Sequence, residues 1–199
     1  RDLFRAAKEL NMTVMDFFSE YCEKYIGDNS RLPVIRLKPR GTIRRCPLLE
    51  NRRCRIHRSK PVICAMFPVG RMVTTDRSTG KNETSYLLNP IICGDNSEAH
   101  TVREWLLESG VPVHDEFFYK WYEQIEEMHL KVKAIKGMCS SAEVVHITWD
   151  LMSILLYLNY DIAEPFDEQF DHNMHHLNKM LDGLLAGEGA DEDERREES

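Results

Sequence analysis

RGTIRRCPLLENRRCRIHRSKPVICAMFP, residues 40–68, is the part of the chain that departs from a regular helical pattern. Its cysteines, Cys46, Cys54 and Cys64, fall at no helical or strand period. A glycine and three prolines interrupt it: Gly41, Pro47, Pro61 and Pro68. A single hydrophobic face cannot hold such a segment, so we expect it to be irregular and fixed by other interactions.

Charge is strongly segregated around this stretch. Residues 31–60 hold eleven Lys or Arg against one acid, Glu50, which is a net charge of +10 in a chain whose total is −7. The remainder therefore carries −17, and this disfavours nucleic acid as a partner because it would repel a polyanion. Apolar residues make up 42% of the chain, and no apolar run approaches the ~20 residues that a membrane span needs.

Regular structure is expected on both sides of the irregular stretch. Before it, apolar spacing predicts a helix over residues 2–10 and a strand over 33–38. Between them, a second helix should run from the N-cap Thr13 to near Gly27, with Cys22 on its apolar face. Within and after it, Pro61 should open a helical turn over 62–67, and residues 69–74 and 84–88 should form a hairpin.

The second half reads as helices. Thr101 and Glu104 form a capping-box pattern, an apolar stripe runs through residues 117–135, and further helices are expected to begin near Ser140 and Pro165. His172, His175 and His176 lie on the last helix, where two histidines four residues apart can share a metal. The many acids beside them favour a solvated polar face instead.

The cysteines outside regular structure are the candidate metal ligands. Cys46, Cys54, Cys64 and Cys93 lie in loop-like, proline-marked sequence beside the arginines, and soft thiolates select zinc, Cu(I) or iron–sulfur clusters. Neighbouring cations favour the thiolate form. Two other interpretations remain open, namely disulfides and free reduced thiols. His57 is an alternative fourth ligand, and Cys22 is better explained as a buried small apolar residue.

Three motifs carry a resemblance to a known family. Residues 45–49 read RCPLL, 54–57 read CRIH and 60–68 read KPVICAMFP. In this order they resemble the bacterial cysteine-cluster (CxxCxxCC) family of zinc- or iron-chelating domains, which includes flagellin lysine N-methylase as a relative. Two further parts of the chain are also similar to that family. The first is its opening, with DLFR at 2–5, residues 10–13 and Phe17-Phe18, and the second is Cys93-Gly94 followed by residues 101–106. His57, Lys60 and Ala65 depart from its usual Tyr, Arg and Arg.

The resemblance implies a bacterial, cytoplasmic metal-binding protein. It covers about residues 2–110 and implies that Cys46, Cys54, Cys64 and Cys93 hold zinc or an iron–sulfur cluster, with a link to protein lysine methylation or redox chemistry. The cysteines for which the family is named lie upstream of the motif that begins here at Asp2, and these 199 residues do not include them. No glycine-rich nucleotide or methyl-donor loop is apparent, so the sequence leaves open whether the protein is an enzyme.

The fold expected from these observations is mainly α. An irregular Cys/Arg-rich metal-binding region with a small hairpin, residues 1–110, should pack with a helical region of the same domain, 111–186, and 187–199 should be a disordered acidic tail. The alternative function is a non-enzymatic interaction module whose basic segment, residues 31–60, binds an acidic protein partner or RNA. No aromatic side chain interleaves that segment to stack bases.

Overall fold

The computed structural model describes residues 1–76, 78–79, 82–91, 97–138 and 142–197, with side chains through residue 187. About half of the chain is helical, and the strands form small antiparallel sheets. This confirms the mainly α fold at that level. Within the described ranges, no helix is both long and apolar enough to cross a membrane.

The chain divides into two compact units. Residues 1–59 and 123–199 form the first unit, and residues 60–122 form the second. The boundary between residues 122 and 123 lies within the helix Glu116–Met138. The sequence analysis had instead separated residues 1–110 from 111–186.

The first unit begins with two short helices and a strand pair. The helices are α1, Asp2–Glu9, and α2, Val14–Tyr21; the antiparallel strands are β1, Cys22–Ile26, and β2, Pro33–Leu37. Thr13 caps α2 as expected, because its Oγ1 accepts the backbone N–H of Asp16 at 3.0 Å. The expected continuation of α2 to Gly27 is wrong. The chain turns extended at Cys22 because pairing with β2 satisfies its backbone, and this tertiary pairing outweighs local helical spacing.

The rest of the first unit comprises a minimal hairpin and the later helices. The hairpin strands are β3, Leu49–Glu50, and β4, Arg53–Cys54. The later helices are α5 (Glu116–Met138), α6 (Ala142–Ser153) and α7 (Phe166–Glu197), and a π-helical turn (Ile154–Leu158) follows α6. The first residues of α5, up to Tyr122, belong to the second unit. Apolar residues of α1, α2 and the later helices form the buried core, for example Phe17, Met128, Met152, Phe170 and Leu177. α7 extends over the segment for which composition predicts disorder, and that disorder stays a prediction.

The second unit is built from a hairpin and short helices. α3 is Val62–Met66, the hairpin pairs β5, Val69–Thr75, with β6, Asn82–Leu88, and α4 is Val102–Glu108. The helical turn after Pro61, the hairpin and the Thr101 capping box are therefore confirmed. Its core cluster is Met66, Leu106 and Val111, with Val69 and Tyr86 packed against it. The predicted start of α6 at Ser140 lies outside the described residues.

Candidate metal centre

Residues 40–59 form a lobe of tight turns on the first unit, which we call the basic lobe. Arg40 and Arg45 exchange backbone hydrogen bonds of 2.7 and 2.9 Å across a turn in which Gly41 has φ +69°. Asn51 and Arg52 connect β3 to β4 and both have positive φ, at 47° and 62°. Two such residues between paired strands make a type I′ hairpin, whose twist matches that of the strands.

Two apolar side chains anchor this lobe. Leu48 is 0% exposed and Ile56 is 1% exposed, while their neighbours Cys46, Leu49, Arg55 and His57 are exposed. The anchors are eight positions apart in irregular backbone, so a search for periodic patterns misses them. They supply apolar burial that the sequence analysis did not anticipate in this segment.

Two of the proposed ligands share the hairpin of the basic lobe. The N–H of Leu49 donates to the carbonyl of Cys46 at 3.2 Å, and Leu49 pairs with Cys54 in the β3–β4 ladder. Cys46 is exposed and Cys54 is partly exposed, and neither forms a disulfide. The local backbone therefore carries two accessible thiols on one small turn structure.

The other two proposed ligands are not in this lobe. Cys64 is exposed in the middle of α3, in the second unit, and forms no disulfide. Trp105 Nε1 donates to the carbonyl of Met66 at 2.7 Å and so fixes the end of that helix against α4. Cys93 lies outside the described residues. Among residues that are described, no group of three or more His, Cys, Asp and Glu side chains could hold a metal ion.

Cys22 differs from these thiols in its surroundings. It is 5% exposed at the start of β1, and burial raises the pKa of its thiol to about 12, with Lys38 opposing that rise. A thiol held in the protonated form is a poor metal ligand and a poor nucleophile. Its interpretation as a buried apolar residue is confirmed, although it lies on a strand rather than on a helix.

Most of the arginines on the basic lobe face solvent. The Nε of Arg55 lies 3.8 Å from a carboxylate oxygen of Glu50, and its Nη1 donates to the Tyr21 hydroxyl at 2.8 Å. Six others are exposed and make no ion pair within the described part of the chain: Arg40, Arg44, Arg45, Arg52, Arg53 and Arg58. The lobe therefore carries an uncompensated positive field around Cys46 and Cys54.

The sequence analysis missed a buried ion pair in the second unit. Arg71 on β5 and Asp115, just before α5, have side chains only 6% and 4% exposed, and their charged groups are 3.8 Å apart. The Arg71 guanidinium also lies 3.5 Å from the centroid of the Phe118 ring. An alternating strand pattern gives no hint of such a pair, because Arg71 reads as one more polar residue of a half-exposed hairpin.

Comparisons with known proteins return no similarity. No family model matches the chain, and neither the curated proteins nor the solved structures contain a match to it. Membership of the cysteine-cluster family therefore stays a prediction, and so does the ligand set of Cys46, Cys54, Cys64 and Cys93.

Proposed function

We propose that this protein binds zinc or an iron–sulfur cluster through the thiolates of Cys46, Cys54, Cys64 and Cys93. The observation that carries the proposal is the contrast between the thiols. Cys46, Cys54 and Cys64 are accessible and outside disulfides, whereas Cys22 is in the core. These three thiols are not part of the buried core, and metal coordination would account for their presence at the surface.

The positive field of the basic lobe supports this assignment. Four thiolates around a divalent ion leave a net charge of about −2, and nearby arginines would offset part of it. Arg44, Arg45, Arg52 and Arg53 flank Cys46 and Cys54 in sequence and are exposed. Cys46, Cys54 and Cys64 do not form a three-donor group among the described residues, so the proposed ligand set rests on the accessibility of these thiols and on the charge around them.

Metal analysis of the purified chain tests this proposal. We expect close to one zinc ion or one cluster per chain, and loss of the metal in Cys46→Ser, Cys54→Ser and Cys64→Ser variants. Cys139→Ser is the matched control, because Cys139 has no predicted role and its replacement should keep the metal. Equal metal content in all four variants would refute the ligand assignment.

The second candidate function is an interaction module that binds an acidic protein partner through the basic lobe. The six exposed arginines without ion pairs favour it specifically, since solvated cations attract an acidic surface. RNA is the less favoured partner because Tyr21, the aromatic ring that Arg40 and Arg55 of the lobe contact, is 2% exposed and unable to stack on bases. Binding of a polyglutamate peptide should weaken with added salt and with Arg52→Ala plus Arg53→Ala, while metal content should not change. If the affinity for the peptide changes neither with added salt nor in the Arg52→Ala/Arg53→Ala variant, the basic lobe does not bind acidic partners.

A further inference from the structure

Two histidines on α7 are poised next to each other at the surface. His172 and His176 are one helical turn apart, both are exposed, and their ring centroids are 4.4 Å apart with an interplanar angle of 65°. His175 is also exposed but is farther from its neighbour, with 5.9 Å between its ring centroid and that of His176. The three histidines therefore form one close pair and one outlying ring.

The spacing of the close pair suits a shared metal ion. A metal–imidazole bond is about 2.0–2.1 Å long, and the bonded nitrogen lies about 1.1 Å from the ring centroid. Two imidazoles bound to one ion at about 90–110° therefore have centroids about 4.5–5 Å apart. The observed 4.4 Å is just below that range, so the two rings are close enough to share one ion.

The backbone that carries the pair is held in place. Phe170, Met174 and Leu177 on the same helix are buried in the core of the first unit. Asn173 is buried between the histidines in sequence, where its side chain donates to the carbonyl of Asn159 and accepts from the Asn159 amide, both at 2.8 Å. A pair of ligands on such a fixed helix loses little conformational freedom when it binds an ion.

The surroundings of His172 favour a cation. His172 and Glu168, one turn earlier, both line a groove of about 710 Å³ between the start of α7 and the preceding turn. Asp161 and Glu164 line the same groove, so its charged side chains are acidic apart from His172. A cleft lined by one sign of charge concentrates ions of the other sign.

We propose that His172 and His176 form a surface site for a divalent transition-metal ion such as Ni²⁺, Cu²⁺ or Zn²⁺. Neutral imidazole is the side chain that these ions share as a preferred ligand. The described residues offer no third donor in a metal-binding group, so water or a second molecule fills the remaining positions. The site is separate from the cysteines of the proposed metal centre, and neither proposal depends on the other.

The test is a titration of the isotope-labelled full-length chain with Ni²⁺ alone, followed by amide resonances. Paramagnetic Ni²⁺ should broaden the signals of residues 168–180 at low concentration. Because these signals come from α7, their broadening distinguishes Ni²⁺ bound at the histidines from Ni²⁺ bound at the cysteines. His172→Ala and His176→Ala should each weaken the affinity measured there by about 100-fold, because the second imidazole binds intramolecularly. His175→Ala should leave it within about twofold.

The alanine variants are expected to fold, because alanine is the best helix former and all three positions are exposed. Circular dichroism checks this directly. Broadening at residues 168–180 that survives in the His172→Ala/His176→Ala double variant would overturn the proposal. An absence of broadening there in the unmodified chain, or its loss only in His175→Ala, would also overturn it.

Discussion

Replacing Asp115 with Asn tests how the second unit holds a buried charge. Asp115 is 4% exposed and faces the guanidinium of Arg71, itself 6% exposed, at 3.8 Å. Asp115 Oδ1 also accepts the backbone N–H of Phe118 at 3.3 Å, which caps the start of α5. Asparagine is as good a cap as aspartate, so this substitution removes the charge and keeps the capping group.

The expected magnitude follows from the burial of both partners. Removing one member of a buried ion pair costs about 3–5 kcal/mol, because the remaining charge is left uncompensated. The Nε of Arg71 is buried without a hydrogen-bond partner, so Arg71 has little else to offset its desolvation. The Phe118 ring, 3.5 Å from the guanidinium carbon, supplies a cation–π contact worth about 2 kcal/mol when desolvated. We therefore expect Asp115→Asn to cost about 3 kcal/mol, at the lower end of that range.

Hydrogen exchange of the β5 and β6 amides measures this free energy within the second unit. The matched control is Arg71→Met/Asp115→Asn, in which a flexible apolar side chain replaces the guanidinium. We expect the double variant to recover at least half of the loss, since removing the guanidinium as well leaves no uncompensated charge at this buried position. The single variant Arg71→Met completes the comparison. If the losses of Arg71→Met and Asp115→Asn simply add in the double variant, the two charges do not interact and this account of the pair is wrong.

Three further predictions concern the local features of the chain. In the metal-stripped chain at pH 8, iodoacetamide should modify the exposed Cys46 and Cys64 at least about 100-fold faster than Cys22, whose pKa is raised to about 12. Equal rates by peptide mass mapping would contradict the burial of Cys22. Thr101→Ala should destabilise α4 by about 1 kcal/mol through loss of the capping box, and Thr101→Ser should restore it in urea unfolding. Removing residues 187–199 should leave the thermal midpoint within about 1 °C, because an acidic, glycine-containing tail buries little surface; a clear drop would show that the tail packs on the protein.

Local signals in the sequence predicted much of the secondary structure. The Thr13 and Thr101 caps, the 69–88 hairpin and the stripe of α5 each depend on residues close together in the chain, so their patterns suffice. The strand at Cys22–Ile26 was missed because its conformation comes from pairing with β2, about ten residues away. Helical spacing of Phe17, Tyr21 and Cys22 suggested a longer helix in its place.

The candidate site was only partly predictable, for a related reason. The irregular course of residues 40–59 and the accessibility of Cys46 follow from Gly, Pro and Arg in the sequence. The burial of Leu48 and Ile56 does not, because single anchors in irregular backbone have no period to detect. Whether Cys46, Cys54, Cys64 and Cys93 coordinate one metal depends on contacts between distant parts of the chain, which no local pattern determines.

X-ray absorption at the metal edge of the purified chain tests the central claim most directly, because it reports the atoms bound to the metal. The account predicts a shell of sulfur atoms at about 2.3 Å, the length of a zinc–thiolate bond, and its loss in the Cys46→Ser/Cys54→Ser/Cys64→Ser variant. A stoichiometric metal bound only by nitrogen and oxygen at about 2.0–2.1 Å would contradict thiolate binding. A chain that carries no metal after expression with zinc and iron supplied would contradict the metal assignment altogether.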